Sequence, residues 1–446
     1  MAHTLAQLRS GELQGCTRLQ LALGLEEFPR EIFSLADTLE ILDLSGNALS
    51  ELPDDLWRLG KLRVLFCSNN RFTVLPAVVG QCAQLRMVGF KSNQIHTVPA
   101  QALGPQLRWL ILTDNAVSTL PDSMGQCTQL QKLMLAGNQL THLPAALAHC
   151  TQLELVRISA NRFAAFPEVL LTLPNLAWLA VAGNPMCESD AMPVPPEVPQ
   201  IAWTQLRLGP RVGQGASGVI YRAEWDAPDG TQPVAVKMFK GDVTSDGWPQ
   251  AEMAACLRAG RHPGLISVMG QVQHHPQGQQ GLVMAWVPDD YGVVAGPPSL
   301  QSCTRDVYPA GFGLRGPVLV RMAQVLANAL AHLHAQGLLH GDLYAHNLML
   351  SPVGDVLLGD FGAASPTDAL PAPVAQHLRA MDVRAFGVLL GELLARCQVG
   401  SLAVSTLQAL QTVHHACMES VCAARPPMSA VVTALAACNP HGENPA

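Results

Sequence analysis

The sequence predicts a multidomain α/β chain in which a stack of short parallel strands precedes a two-lobed α+β domain. Three observations predict it. An asparagine recurs every 23 residues, once 22, from Asn47 to Asn184. A proline-rich segment, "MPVPPEVPQ", interrupts the pattern between Met192 and Gln200. Beyond it, the glycine string of "RVGQGASGVIY" is followed by alternating apolar segments and then by long helical patterns. At 446 residues the chain is also too long for one ordinary hydrophobic core.

Composition narrows the function classes. Hydrophobic residues make up 49% and charged residues 14%, which excludes wholesale disorder. A net charge of −7 argues against a nucleic-acid binder, because neutralising phosphates needs a basic face. The N-terminal "MAHTLAQLRSGELQGCTRLQ" lacks the apolar core of a secretory signal. No apolar run approaches the roughly 20 residues of a membrane helix. A soluble, cytoplasmic protein without membrane or nucleic-acid partners is expected. The 12 cysteines form no C-x-x-C pair, and Cys82, Cys127 and Cys150 fall at one repeat position. That recurrence reads as a small buried hydrophobe, with free thiols suited to a reducing compartment.

In the first half, "LEILDLSGNALSELP", "LRVLFCSNNRFTVLP", "LRMVGFKSNQIHTVP", "LRWLILTDNAVSTLP", "LQKLMLAGNQLTHLP" and "LELVRISANRFAAFP" repeat, and "LAWLAVAGNP" ends the series. In L-x-x-L-x-L-x-x-N, alternate leucines turn one strand face inward, and the asparagine amide bonds neighbouring backbone. Each unit exposes an apolar side until the next one stacks on it, so the array is a solenoid. Residues 17 to 185 resemble the leucine-rich-repeat family. "LQLALGLEEFPREI" reads as an off-pattern first turn. In such a horseshoe Asp43, Phe66, Lys91, Trp109, Ile111, Met134, Arg157 and Trp178 point to the concave face. Phe66, Trp109, Met134 and Trp178 form a candidate strip for a protein substrate or partner; the alternative is ordinary scattered apolar surface. The expected organisation is a repeat domain with cap over 1–190, a linker over 191–203, a second domain over 204–438 and a tail over 439–446. The linker's prolines favour an extended spacer of roughly 3 Å per residue.

The second half carries the chemistry. Gly213, Gly215 and Gly218 form G-x-G-x-x-G, followed by Val219. The string alone also suits a dinucleotide fold, where it opens a helix. Here "GVIYRAEW" alternates as a strand and "PVAVKMF" follows as another, which favours a hairpin. Lys237 lies in "VAVK", and Glu252 follows fifteen residues later in the helical pattern "QAEMAACLRAG". Next come "GLVMAWVPDDY", an insertion from Gly292 to Pro317, and the helical "LVRMAQVLANALAHLHAQG". "HGDLYAHN" spans His340 to Asn347, and "LLGDFG" places Asp360 eighteen residues past Asp342. The helical "DVRAFGVLLGELL" begins at Asp382.

In this order and spacing the motifs resemble the eukaryotic-like protein-kinase fold over about residues 204 to 438. The whole resembles leucine-rich-repeat protein kinases of bacterial type. The resemblance implies ATP and Mg as cofactors and assigns roles residue by residue. Gly213, Gly215, Gly218 and Val219 would cover the nucleotide. Lys237 would meet its phosphates, held by Glu252. Met284 would sit at the gatekeeper place and Trp286 in the hinge. Asp342 would accept or orient the substrate hydroxyl proton, and Asn347 and Asp360 would bind magnesium. Serine or threonine is the default acceptor, with tyrosine left open by His346.

Departures from the pattern weigh against fast catalysis. Gly341 replaces the usual Arg, and Tyr344 replaces the Lys of Ser/Thr kinases. His346 stands where tyrosine kinases carry an Arg, as a part-time cation. Between Gly362 and Asp382 lie only nineteen residues, without A-P-E, so the platform for a peptide substrate is absent or reduced. Arg425 looks like the arginine that pairs with the missing glutamate. The rival reading is a pseudokinase scaffold that holds nucleotide without transfer.

Overall fold

A computed structural model describes residues 3–187, 199–215 and 217–438. Most of the expected linker and all of the expected tail fall outside the described residues. The chain divides into two compact units, Met1–Leu176 and Ala177–Ala446.

In the first unit a short helix, α1 (Leu5–Arg9), is closed by a capping box between Thr4 and Gln7. Seven strands then run parallel: β1 (Arg18–Gln20), β2 (Ile41–Asp43), β3 (Val64–Phe66), β4 (Met87–Gly89), β5 (Trp109–Ile111), β6 (Lys132–Met134) and β7 (Leu155–Arg157). Each strand is short because the asparagine that follows turns the chain. The Asn47 amide donates to the carbonyls of Leu21 and Leu44, while its oxygen accepts from the amides of Leu23 and Leu25. Asn138 and Asn161 donate to Leu112 and Leu135 of the preceding copy in the same way. These bonds saturate turn backbone that stacking buries, as a buried polar group requires. Cys82, Cys127 and Cys150 are buried, and burial raises their thiols to about 11, 12 and 11. They are neutral space-fillers, as their recurrence at one repeat position suggests.

The strand residues between the leucines behave unequally. Phe66, Trp109 and Met134 are half-buried. The Trp109 indole lies beside Met134 Sδ at 3.2 Å, with Lys132 Nζ 4.6 Å from its ring centroid. Arg157 is buried.

The second unit begins with β8 (Trp178–Ala180), the strand of the last repeat copy. Its upper lobe is a six-stranded sheet in the order β10 (Leu206–Gln214), β11 (Gly218–Ala227), β12 (Gly230–Phe239), β14 (Gly281–Ala285), β13 (Val268–Gln273) and β9 (Gln200–Ala202). β9 joins β13 in parallel, so the sheet takes in residues before 204. Its core packs Val234, Val236, Val272 and Val283 with Ile201 and Ala223. One helix, α2 (Pro249–Ala259), starts with proline in its first turn, where a missing N–H costs nothing.

The lower lobe holds α3 (Gly316–Ala335), the hairpin of β17 (Leu348–Leu350) and β18 (Val356–Leu358) flanked by β15 (Gly292–Val293), and the pair β16 (Leu338–Leu339) with β19 (Ser365–Pro366). It closes with α4 (Ala372–Leu394), α5 (Val404–Cys417) and α6 (Met428–Ala436). Buried leucines of α3 such as Leu319, Leu326, Leu330 and Leu333 recur at helical spacing on the face toward the lobe's interior.

Candidate active site

The glycine string is a hairpin turn, not a helix start. Gln214 pairs with Val219 and Gly213 with Ile220, and the Gly215 N–H donates to the Gly218 carbonyl. No side chain fits at Gly218, because a Cβ there would lie 2.5 Å from the Met238 carbonyl. The hairpin roofs a cleft of about 230 Å³ lined by Gly215, Gly218, Ile220, Lys237, Glu252, Met284 and Asp360. Of the expected nucleotide contacts, Gly213 and Trp286 are outside this lining, and Trp286 instead lies under the Arg222 guanidinium at 4.6 Å. Val219 is corrected by strand geometry. Successive side chains of β11 alternate, so Gly218 and Ile220 face the cleft while Val219 faces Trp203, Tyr221 and Met238 on the other side. Ile220, Thr244, Asp246 and Ile266 are lining residues that motif reading missed.

Lys237 on β12 and Glu252 on α2 form a buried ion pair, with side chains 13% and 3% exposed. Burial opposes the Lys237 charge, but the carboxylates of Glu252 and Asp360 outweigh it and hold the ammonium protonated. Burial pushes the Glu252 carboxyl upward, aided by Asp360 and opposed by Lys237. Three carboxylates, Asp246, Glu252 and Asp360, thus share a cleft with a single lysine.

The loop after β16 is anchored from below. Asp382, deep in α4, accepts the amides of His340 at 2.8 Å and Gly341 at 3.0 Å and the His334 ring at 3.1 Å. Burial disfavours its charge, but those donors and the neighbouring histidines keep the carboxyl below its usual range. His340 is fully buried, its Nε2 3.1 Å from the Gly359 carbonyl and its ring 5.4 Å from that of Phe361. Asn347 donates its amide to the Asp342 carbonyl at 2.9 Å and to its carboxylate at 3.0 Å. Both of these bonds use the Asn347 amide nitrogen and neither uses its carbonyl oxygen. Asp360 adopts a φ of +53°, rare for a residue with a side chain, and its Oδ1 accepts the Gly362 amide at 3.1 Å.

His346 acquires a partner that the motif did not disclose. Asp306, from the insertion after β15, accepts its backbone amide at 3.0 Å and its Nδ1–H at 2.7 Å. Burial opposes the imidazolium, yet Asp306, reinforced by Asp342 and Asp360, raises its pKa. His346 is therefore a fuller cation than a free histidine.

Gly341 has a specific reason to lack a side chain. Its φ is +70°, and a Cβ would lie 2.5 Å from the Leu179 carbonyl and 2.8 Å from that of Ala363. Gly341→Arg should lower the stability of the chain by about 2–4 kcal/mol through left-handed strain and overpacking. A denaturant midpoint equal to wild type would show that the contact yields freely.

Past Gly362 the chain pairs as β19 and enters α4 at Ala372, the stretch in which the sequence leads one to expect an absent or reduced platform. Arg425, buried, donates instead to the carbonyls of Glu419 at 2.8 Å and Ala380 at 3.0 Å. A larger cavity of about 490 Å³ adjoins it, and no residue of the 340–347 loop lines that space.

Trp178 is the other correction. It is 1% exposed, stacked on Tyr344 within the second unit, and so is unavailable to a partner at the repeat face.

Comparison with known proteins agrees with this geometry. Residues 206–371 match the family model described as protein tyrosine and serine/threonine kinase. Residues 38–59 and 105–163 match leucine-rich-repeat models. Human cyclin-dependent kinase 11A is 31% identical over 207 residues, 42% of this chain and 24% of that protein. The Drosophila melanogaster serine/threonine-protein kinase PITSLRE is 28% identical over 184 residues, 40% of this chain and 18% of that protein. The chain thus spans about a quarter or less of these two relatives. Both are animal proteins, so they lend nothing to the expectation of a bacterial type. Among the described residues no helix is long and apolar enough to cross a membrane. The chain joins a leucine-rich-repeat array to a protein-kinase domain.

Proposed function

We propose that the second unit is an ATP- and magnesium-dependent protein kinase directed to serine or threonine, and that the repeat unit recruits the protein it modifies. The observation that carries this reading is the cleft in which the buried Lys237–Glu252 pair faces Asp360 beneath the glycine hairpin. Lys237 would engage the nucleotide phosphates, and Asp342 would orient the acceptor hydroxyl. His346, held by Asp306 through its backbone amide and Nδ1, would be placed to stabilise the developing negative charge in place of the lysine that Tyr344 displaces.

The residues present suit magnesium. The donor set is all oxygen, Asp360 with the Asn347 carbonyl. Among the described residues, no group of three or more His, Cys, Asp or Glu could hold a metal by itself. Magnesium completes its shell with water and phosphate oxygens, so two protein ligands suffice. When bound, magnesium neutralises phosphate charge and orients the transferring group.

Free thiols at all twelve cysteines support a cytoplasmic setting. The half-buried Phe66, Trp109 and Met134 support a protein-binding face, without Trp178. A nucleotide-holding scaffold is the second reading, favoured by the abrupt entry into α4 at Ala372. The deciding experiment is transfer of labelled γ-phosphate to the chain itself and to a generic protein acceptor. Transfer that requires magnesium and stops with a chelator supports the enzyme, and phosphoamino-acid analysis names the acceptor. Nucleotide binding with no transfer would select the scaffold.

A further inference from the structure

Four contacts converge on one short strand. Trp178, the largest fully buried side chain, stacks on Tyr344 with ring centroids 4.4 Å apart and planes 10° from parallel. Its indole N–H donates to the Leu343 carbonyl at 3.0 Å. The Leu179 carbonyl lies against Gly341, where any Cβ would intrude. Two residues on, the Val181 amide donates to Ser365 Oγ at 3.0 Å, and that hydroxyl donates to the Ala363 carbonyl at 3.1 Å. β8 also packs on α4, the helix whose Asp382 anchors the same loop from the other side.

The points gripped are not scattered. Gly341, Leu343 and Tyr344 bracket Asp342, and Ala363 and Ser365 follow Asp360 closely. A displacement of β8 would therefore move both functional aspartates. The stretch from Gly362 to α4 is too short to build its own scaffold, and Gly341 offers no side chain to tie the loop to it. We propose that β8 is a built-in brace of the catalytic loop and of the segment after Asp360, with Trp178 as its positioning residue. Resting on the kinase reading above, the brace holds the loop in working geometry without a modification to order it. Trp178 is not among the residues lining the cleft; it meets the loop through Leu343 and Tyr344, and its ring also faces the Arg305 guanidinium at 5.3 Å. A rigid, buried aromatic with one directed donor suits that task, since it offers few alternative orientations.

The test uses the full chain carrying Trp178→Ala or Trp178→Phe. Initial rates are measured against ATP, together with amide hydrogen exchange of residues 340–347 and 361–367. Trp178→Ala should lose about tenfold or more in kcat, because small misplacements of reacting groups are costly. KM for ATP should stay unchanged, and exchange should quicken in those two stretches while α3 stays protected. Trp178→Phe keeps a ring but loses the donor, and should recover part of the loss. Wild-type kcat in Trp178→Ala overturns the proposal. So does a rise in KM with faster exchange throughout, which would mean general loosening. Should wild type transfer no phosphate, the kinase reading fails by itself and exchange alone decides the brace: faster in the two stretches upholds it, unchanged overturns it.

Discussion

Asp342→Asn should reduce phosphate transfer by about 10²–10⁴-fold, the range that a positioned general base contributes, while ATP with magnesium still raises the melting temperature. The substitution keeps the shape of the side chain and removes only its charge and proton affinity. Asn347 donates to the Asp342 backbone carbonyl as well as to its carboxylate, so one of those two bonds is independent of the replaced group. The Asp342 backbone amide donates to His340 Nδ1 at 3.3 Å, and this contact also persists. The loop should therefore stay folded and the nucleotide should still bind. The measurement is labelled transfer in parallel with thermal shift. Transfer at wild-type rate would remove Asp342 from the chemistry and leave the loop's resemblance as shape alone.

Glu252→Ala is expected to be costly in a different way. The Glu252 side chain is 3% exposed and that of its partner Lys237 13%, so deleting the carboxylate strands a largely enclosed ammonium inside the upper lobe. Removing one partner of a buried pair typically costs about 3–5 kcal/mol, far more than an exposed pair is worth. Asp360 is close enough to take up part of that charge. That redistribution is itself damaging, because it draws the lysine toward the carboxylate proposed to hold magnesium. A lower denaturation midpoint together with weaker ATP binding is expected. A variant as stable as wild type, with unchanged nucleotide affinity, would mean that Lys237 is oriented by something else.

How far the sequence reveals this molecule depends on whether a residue's neighbours are local. The asparagine ladder is legible because each amide reaches the adjacent copy, so a fixed period implies a fixed contact. Lys237, Glu252, Asp342 and Asp360 are legible because the order of the motifs carries their spacing. Ile220 was within reach: once Gly218 faces the cleft, strand alternation selects Ile220 and rejects Val219. Asp306 was not, because it lies in an insertion with no period and meets His346 only through the tertiary fold. Trp178 reads as a concave-face residue on repeat position alone, yet it is stacked on Tyr344, far away in sequence. Gly341 reads as an arginine lost. In the fold it is a place where one backbone must pass another, and no single-residue pattern announces that.

The split assignment of the last repeat bears on how such a chain can be inherited. The stretch from Ala177 onward is spelled like a repeat but belongs to the second unit. A crossover at the proline-rich segment, where the sequence changes character, would hand on the kinase domain without Trp178 and Leu179, which meet its 340–347 loop. The final copy is therefore the one least at liberty to drift with its siblings, and exchange of repeat arrays between such chains should stop one copy short of the end.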